Sequence, residues 1–321
     1  MTRIIDFSTH IFPKRYLKEL PEQPKNFLAM GPQFFDLDFR IKLMDKFRIE
    51  KQVITLSSQG LAKPGSDIAK LVRAGNDGIA DIVKEKPDRF LGMGTFSHID
   101  SPEVIEELER SVSELGFKGA MIHTTQNGKP LDSAEFDPFF SKVEKLGIPL
   151  LLHPRSWNYY PWIAEHKIDM VLGWPFDTSV AIMRLLMSGF FDRHPEIKVV
   201  THHAGGMLPF FSKRIQGMYL QGEEYKQLSL QSSSRSDPMS YLKSRVYCDT
   251  AVYGSSNALS CALAMCGTEK MIFGTDYPFG PESGEKFVKD TIDSVNKLES
   301  IDDKEKELVF AGNAERLFGI S

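Results

Sequence analysis

Ile4-Ile5-Asp6-Phe7-Ser8-Thr9-His10-Ile11-Phe12-Pro13 reads as an apolar strand that becomes polar toward its end, with no glycine between Asp6 and Pro13. A doubly wound nucleotide-binding sheet needs a glycine-rich turn after its first strand, so that the backbone can approach a phosphate, and this turn is missing. Outward from this run, from 3–8, similar short stretches rich in Val, Ile, Leu and Phe recur at 52–57, 90–96, 118–123, 148–153, 198–202, 246–252 and 271–274. Each has the length of a buried strand. Helical periodicity fills the gaps, as in Asp67 to Lys86, Pro102 to Leu115, Asp137 to Lys145, Thr178 to Arg193 and Ser255 to Met265. Eight strands alternating with helices predict an α/β fold of the (β/α)8 type, a single barrel domain over 1–321.

Composition sets the outer limits. The 321 residues carry 39 Lys+Arg against 43 Asp+Glu, a formal net charge of −4, with 41% hydrophobic residues. That balance lacks the basic stripe that nucleic acid or an anionic membrane surface would require, so neither is expected as a partner. Cys248, Cys261 and Cys266 are odd in number and show no C-x-x-C spacing, which points to a reducing compartment. Met1-Thr2-Arg3-Ile4-Ile5-Asp6 places charge where a secretory signal needs its apolar core, and no uninterrupted apolar run approaches about 18 residues. A cytoplasmic location is the expectation.

The polar residues at the strand ends carry the chemistry, because the loops at that end of a barrel build its active site. Asp6, Ser8 and His10 are spaced by two, so on an extended strand they leave one side and can point at one centre. His153 follows the run Leu150-Leu151-Leu152, and His202 and His203 end the sixth strand, where alternation lets only one of the pair face the axis. Asp276 lies between the eighth strand and a proline turn, where it either joins the mouth or caps the next helix. Imidazoles and a carboxylate delivered by four strands to one mouth have the composition of a divalent metal site.

At these residues the chain resembles the amidohydrolase-2 group of the amidohydrolase superfamily, which holds aminocarboxymuconate-semialdehyde decarboxylase-like carboxy-lyases. The likeness lies in Asp6-Phe7-Ser8-Thr9-His10-Ile11-Phe12-Pro13, in Gly173-Trp174-Pro175-Phe176-Asp177-Thr178 and in His203-Ala204-Gly205-Gly206-Met207-Leu208-Pro209. It continues in Asp249-Thr250, in Phe273-Gly274-Thr275-Asp276-Tyr277-Pro278 and in Gly312-Asn313-Ala314. The resemblance implies a distorted barrel and a homodimer, with one divalent metal, zinc before manganese, held by His10, His153 and Asp276. It implies His203 and Asp276 as the catalytic pair, with His202 then facing away.

Ser8 departs from the pattern, which has His or Glu there; a neutral hydroxyl is a weak ligand. Three arrangements follow: three protein ligands completed by water and substrate, Asp6 turned inward as a substitute, or no catalytic metal. The first is chemically sufficient and is the expectation. His123, Arg155 and Trp157 are candidate substrate-lining residues, with Tyr159, Tyr160 and Trp162 extending an aromatic wall. His166 and His194 read as surface residues, and Arg40 is assigned no catalytic role. The implied activity is a metal-dependent, non-oxidative decarboxylation of a small aromatic or muconate-like carboxylic acid. The alternatives are a metal-dependent hydrolase or hydratase of a small organic acid, lactone or amide, and a ligand-binding barrel with a degenerate metal site.

Overall fold

The computed structural model describes residues 3–20, 31–57, 67–155, 161–224, 233–234 and 236–320. Its strands fall on the apolar runs: β1 (Ile4–Ile11), β2 (Ile49–Leu56), β3 (Phe90–Gly92, resumed as Gly94–Phe96), β4 (Ala120–His123), β5 (Leu150–His153), β6 (Val199–Thr201), β7 (Val246–Asp249) and β8 (Met271–Ile272). Neighbours pair in parallel in this order, and β3 changes partner at its middle, its first half pairing with β2 and its second with β4. The ring closes where Phe7 N donates to Phe273 O at 2.9 Å, Asp276 N donates to Ser8 O at 3.0 Å, and Thr9 bridges Tyr277. The result is the expected (β/α)8 barrel.

Helices cover the outside because their apolar residues recur at helical spacing. The helix Ile68–Glu85 starts where the Asp67 side chain accepts from Lys70 N, and it buries Leu71, Val72, Ile79 and Ile82. The stretch 169–187 is long and apolar enough to cross a membrane by length and composition. Its helical part, Trp174–Met187, nevertheless buries Ala181, Ile182, Leu185 and Leu186 in the shell, while Val171, Leu172 and Phe176 remain exposed.

Inside the ring, one apolar layer closes the foot of the barrel. Ile5 and Phe7 from β1 join Val53, Met93, Met121, Leu151, Val200, Tyr247 and Ile272, and the C-terminal helix Asn313–Phe318 caps them with Leu317 and Phe318. This layer fixes which side of each strand faces inward, and so which residues two positions on must line the mouth.

Candidate active site

Counting two residues beyond the apolar layer reaches Thr55 on β2, Thr95 on β3, His123 on β4, His153 on β5, His202 after β6 and Asp249 on β7, all buried. The polar layer is therefore a consequence of strand alternation. His202 belongs to it. The expectation that His202 faces away is corrected: Val200 points into the barrel, so the residue two further along does too, and its ring lies 4.6 Å from that of His153. His203 also reaches the mouth, because its φ of 55° ends the extended backbone and swings the side chain round. Alternation does not apply across that turn. Gly206 follows at φ 63°, where a Cβ would meet Pro175 O at 2.3 Å, so the turn also requires its second glycine.

β1 behaves differently from its even spacing. Asp6 pairs with Gln52 and Thr9 with Ile54, three steps on β1 against two on β2, which is a bulge. The bulge leaves Phe7 in the apolar floor, 5.1 Å from the Phe318 ring, yet brings Ser8 and His10 to the mouth. Asp6 turns the other way, its carboxylate accepting from Thr275 N at 3.0 Å and Thr275 Oγ1 at 2.7 Å, with the Gln52 amide at 3.4 Å. It does not substitute for a missing ligand.

Hydrogen bonds outside the centre decide which ring nitrogens are free. The Thr55 hydroxyl donates to Thr9 O at 3.1 Å, so at 2.8 Å it accepts from His10 Nδ1, and the His10 Nε2 lone pair points to the mouth. His153 Nδ1 donates to Pro154 O at 2.7 Å, which frees its Nε2 in the same way. His202 Nδ1 faces Asp249 Oδ2 at 3.0 Å, while the other Asp249 oxygen accepts from Ala204 N and Ala251 N at 3.0 and 3.1 Å. Burial opposes charge on His202, but the Asp249 carboxylate outweighs it and raises the ring's pKa.

Asp276 faces these rings. Its Oδ1 lies 3.1 Å from His10 Nε2, and its Oδ2 accepts from Tyr253 Oη at 2.8 Å with His203 Nε2 at 3.8 Å. Burial would raise the Asp276 pKa, yet the facing histidines hold it well below the usual carboxylate range. Burial lowers the pKa of His10 and takes His153 well below the ordinary histidine value, so both rings favour the neutral form a metal ligand needs.

Ligand-type atoms of His10, His153, His202 and Asp276 all lie within 4.8 Å of one another. His10 Nε2 and Asp276 Oδ1 are buried without a hydrogen-bond partner. Two lone pairs held 3.1 Å apart repel unless a cation or a proton stands between them, so this donor set fits a divalent ion.

The remaining candidates divide. His123 is buried beside the centre, its ring 6.1 Å from that of His153, and burial pushes its pKa down to about 3. Arg155 is exposed, its backbone N donating to Asp177 Oδ2 at 3.1 Å. Trp157, Tyr159 and Tyr160 lie outside the described residues, and Trp162 and His166 are exposed. His194 is not a surface residue: it is 3% exposed, packed on Phe140 and Phe190 with Asp137 3.3 Å from its Nε2. Sequence reasoning missed Thr55, Asp249 and Tyr253, and undervalued Arg40. The Arg40 guanidinium is wholly buried, donating to Gln52 Oε1 at 2.9 Å and to the His10 carbonyl, and lying 4.6 Å over the Tyr277 ring. It ties β1 to the β8 loop beneath the centre.

A parallel eight-stranded barrel whose carboxyl-end mouth gathers imidazoles and a carboxylate defines a class, the α/β barrels with a mouth metal centre. Residues 5–320 match the amidohydrolase family model, and the chain belongs to that family. It is 29% identical to 2-amino-3-carboxymuconate-6-semialdehyde decarboxylase of Dictyostelium discoideum, over 98% of this chain and 91% of that one. It is 31% identical to gamma-resorcylate decarboxylase of a Rhizobium strain, over 75% and 76% of the two chains. A dihydroxybenzoic acid decarboxylase from a Polaromonas strain, solved with bound manganese and the inhibitor 2-nitroresorcinol, superposes with a TM-score of 0.82 at 25% identity, covering 99% and 97% of the chains.

Proposed function

We propose that the protein is a metal-dependent, non-oxidative carboxy-lyase acting on a small aromatic or muconate-like carboxylic acid. The observation that carries the reading is the His10 Nε2 to Asp276 Oδ1 approach at 3.1 Å, a contact that a cation bound between the two atoms would relieve, in a chain whose relatives are decarboxylases. His10, His153 and Asp276 would hold the ion, and manganese is as compatible with the donor set as zinc. Once bound, it supplies Lewis acidity and a template for a carboxylate and a neighbouring hydroxyl.

The chain's own task is to move one proton. For a hydroxybenzoate, Asp276 Oδ2 takes the phenolic proton, and the electron density released into the ring makes the carbon bearing the carboxylate basic. The same proton returns to that carbon. The bond to the carboxylate then breaks, its electron pair restores the ring, carbon dioxide leaves, and the phenolate product takes one proton from solvent. Tyr253 Oη, at 2.8 Å, steadies Oδ2 for both transfers, and His203 at 3.8 Å is placed to stabilise the developing phenolate.

The test incubates chelator-treated protein, reloaded with Mn2+ or Zn2+, with hydroxybenzoates and muconate-like acids while carbon dioxide is measured. Gas release that is lost in Asp276→Asn supports the lyase. A product that gains water without gas replaces it with the hydratase or hydrolase reading. We further infer a homodimer, supported by exposed apolar side chains such as Leu172 and Phe210, 62% and 78% exposed, and a reducing, cytoplasmic setting, in keeping with free Cys248, Cys261 and Cys266.

A further inference from the structure

His202 and Ser8 together suggest how this chain makes up for the weak ligand on its first strand. Ser8 Oγ lies 2.7 Å from His202 Nε2, and both residues are fully buried. The imidazole nitrogen from β6 thus comes within hydrogen-bonding distance of the side chain at the position where a β1 ligand would project. The ring is stacked on His10 at 5.7 Å and edge-on to His153 at 4.6 Å. Asp249 Oδ2 lies 3.0 Å from its Nδ1, which favours a proton on that nitrogen, so an ion at the mouth has only to displace the proton on Nε2. We propose that His202 is a metal ligand, supplied from the sixth strand in place of the one Ser8 does not provide. This rests on reading the mouth as a metal centre.

The distances suit the role. Donors bonded at about 2.1 Å to a shared ion stand about 3 to 4.2 Å apart, so atoms within 4.8 Å need only a small contraction. Without a metal His202 Nε2 shares a hydrogen bond with the Ser8 hydroxyl, and with one it gives its lone pair to the ion and releases Ser8. Ser8 is thus a placeholder rather than a ligand.

Ser8, His202 and Asp249, joined by a hydrogen bond and a 3.0 Å ion-pair contact, also match the order of a nucleophilic serine triad. Access argues against that use: Ser8 is wholly buried, with the Gly274 backbone packed so close that a Cβ there would stand 2.8 Å from Ser8 Cβ.

The experiment uses full-length chelator-treated protein with Mn2+ as the probe, reading its affinity and, by pulsed EPR, the number of coordinated imidazole nitrogens. His202→Asn keeps an amide N–H for Asp249 while deleting the ligand nitrogen, and Ser8→His added to it returns an imidazole from β1. Circular dichroism and the thermal midpoint check folding of each variant. The expectation is three imidazoles in the wild type and in Ser8→Ala, two with at least about a ten-fold weaker Mn2+ affinity in His202→Asn, and three again in the double variant. Two imidazoles in the wild type, or three in His202→Asn, overturn the assignment. Three imidazoles without carbon dioxide release leave the ligand assignment standing and sink the decarboxylase reading, two with release do the reverse, and a wild type that retains no Mn2+ overturns both. Loss of turnover in Ser8→Ala with Mn2+ binding intact would favour the nucleophilic serine and also overturn the placeholder role.

Discussion

His10 Nδ1 lies 2.8 Å from the Thr55 hydroxyl, which itself donates to the Thr9 carbonyl 3.1 Å away, so a side chain on β2 sets the tautomer of a ring on β1. Thr55→Val keeps the shape and removes the acceptor. Mn2+ affinity should fall about 10- to 100-fold, as for other groups that orient a ligand from behind, with a stability loss of about 1 kcal/mol. Calorimetric titration and urea unfolding read the two effects separately.

Arg40 is a buried cation whose two terminal nitrogens donate to Thr9, to Gln52 and to the His10 carbonyl. In Arg40→Met the volume is kept, but Gln52 Oε1 and the His10 carbonyl lose their partner. Unfolding should become easier by about 3 kcal/mol or more, and Mn2+ binding should weaken with it, since the segment carrying His10 is no longer tied to Tyr277. A urea midpoint equal to that of the wild type would show that the guanidinium holds nothing in place.

Tyr253 donates to the outer oxygen of Asp276 at 2.8 Å while its ring stacks on Phe287 at 4.0 Å. Tyr253→Phe should lower kcat about ten-fold and leave KM and Mn2+ affinity nearly unchanged, because the bond matters most while the carboxylate exchanges a proton. Steady-state kinetics on whichever acid releases carbon dioxide gives the split.

Burial pushes the Asp6 carboxyl from 3.8 up to about 7, against the hydrogen bonds from Thr275. The folded protein therefore holds this proton more tightly than the unfolded chain. The stability it contributes is full below about pH 4 and is lost as pH rises through about 7. Urea midpoints at pH 5 and pH 8 should differ more in the wild type than in Asp6→Asn. An unchanged difference would mean that Asp6 is already ionised at pH 5.

The exposed apolar side chains Val171, Leu172 and Phe210 should be covered by a second copy. Light scattering on the purified protein should give twice the chain mass of 36.3 kDa, and Phe210→Asp should return it to one. A wild type already at one chain mass would remove the homodimer.

The barrel was legible in the sequence because each strand contains or overlaps a short stretch rich in Val, Ile, Leu and Phe, and helical patterns fit the gaps between them. The His and Asp residues at the strand ends were legible for the same reason. The orientation of His202 was not, because Val199 and Val200 are both apolar and the sequence does not say which one faces the axis. The inward position of Val200, known only once the strands pair, decides it. Asp6 misled because a bulge leaves no mark in the pattern Asp6-Phe7-Ser8-Thr9-His10: even spacing implies one face only while the ladder is regular. Thr55, Asp249 and Tyr253 act on residues far away in the chain, through contacts that exist only after folding. His194 looked solvated because of its charged neighbours in sequence, whereas folding brings it to Asp137 on a distant helix and seats it against Phe140 and Phe190.

The apolar floor beneath the mouth, sealed by Leu317 and Phe318, separates two kinds of demand on one ring of strands. Endurance is concentrated at the foot, where side chains interlock and a lost methylene is felt, while the rim above it carries residues answerable only to the reaction. A lineage of such barrels can thus trade one rim residue for another, serine on one strand for histidine on another, and inherit the same foundation each time.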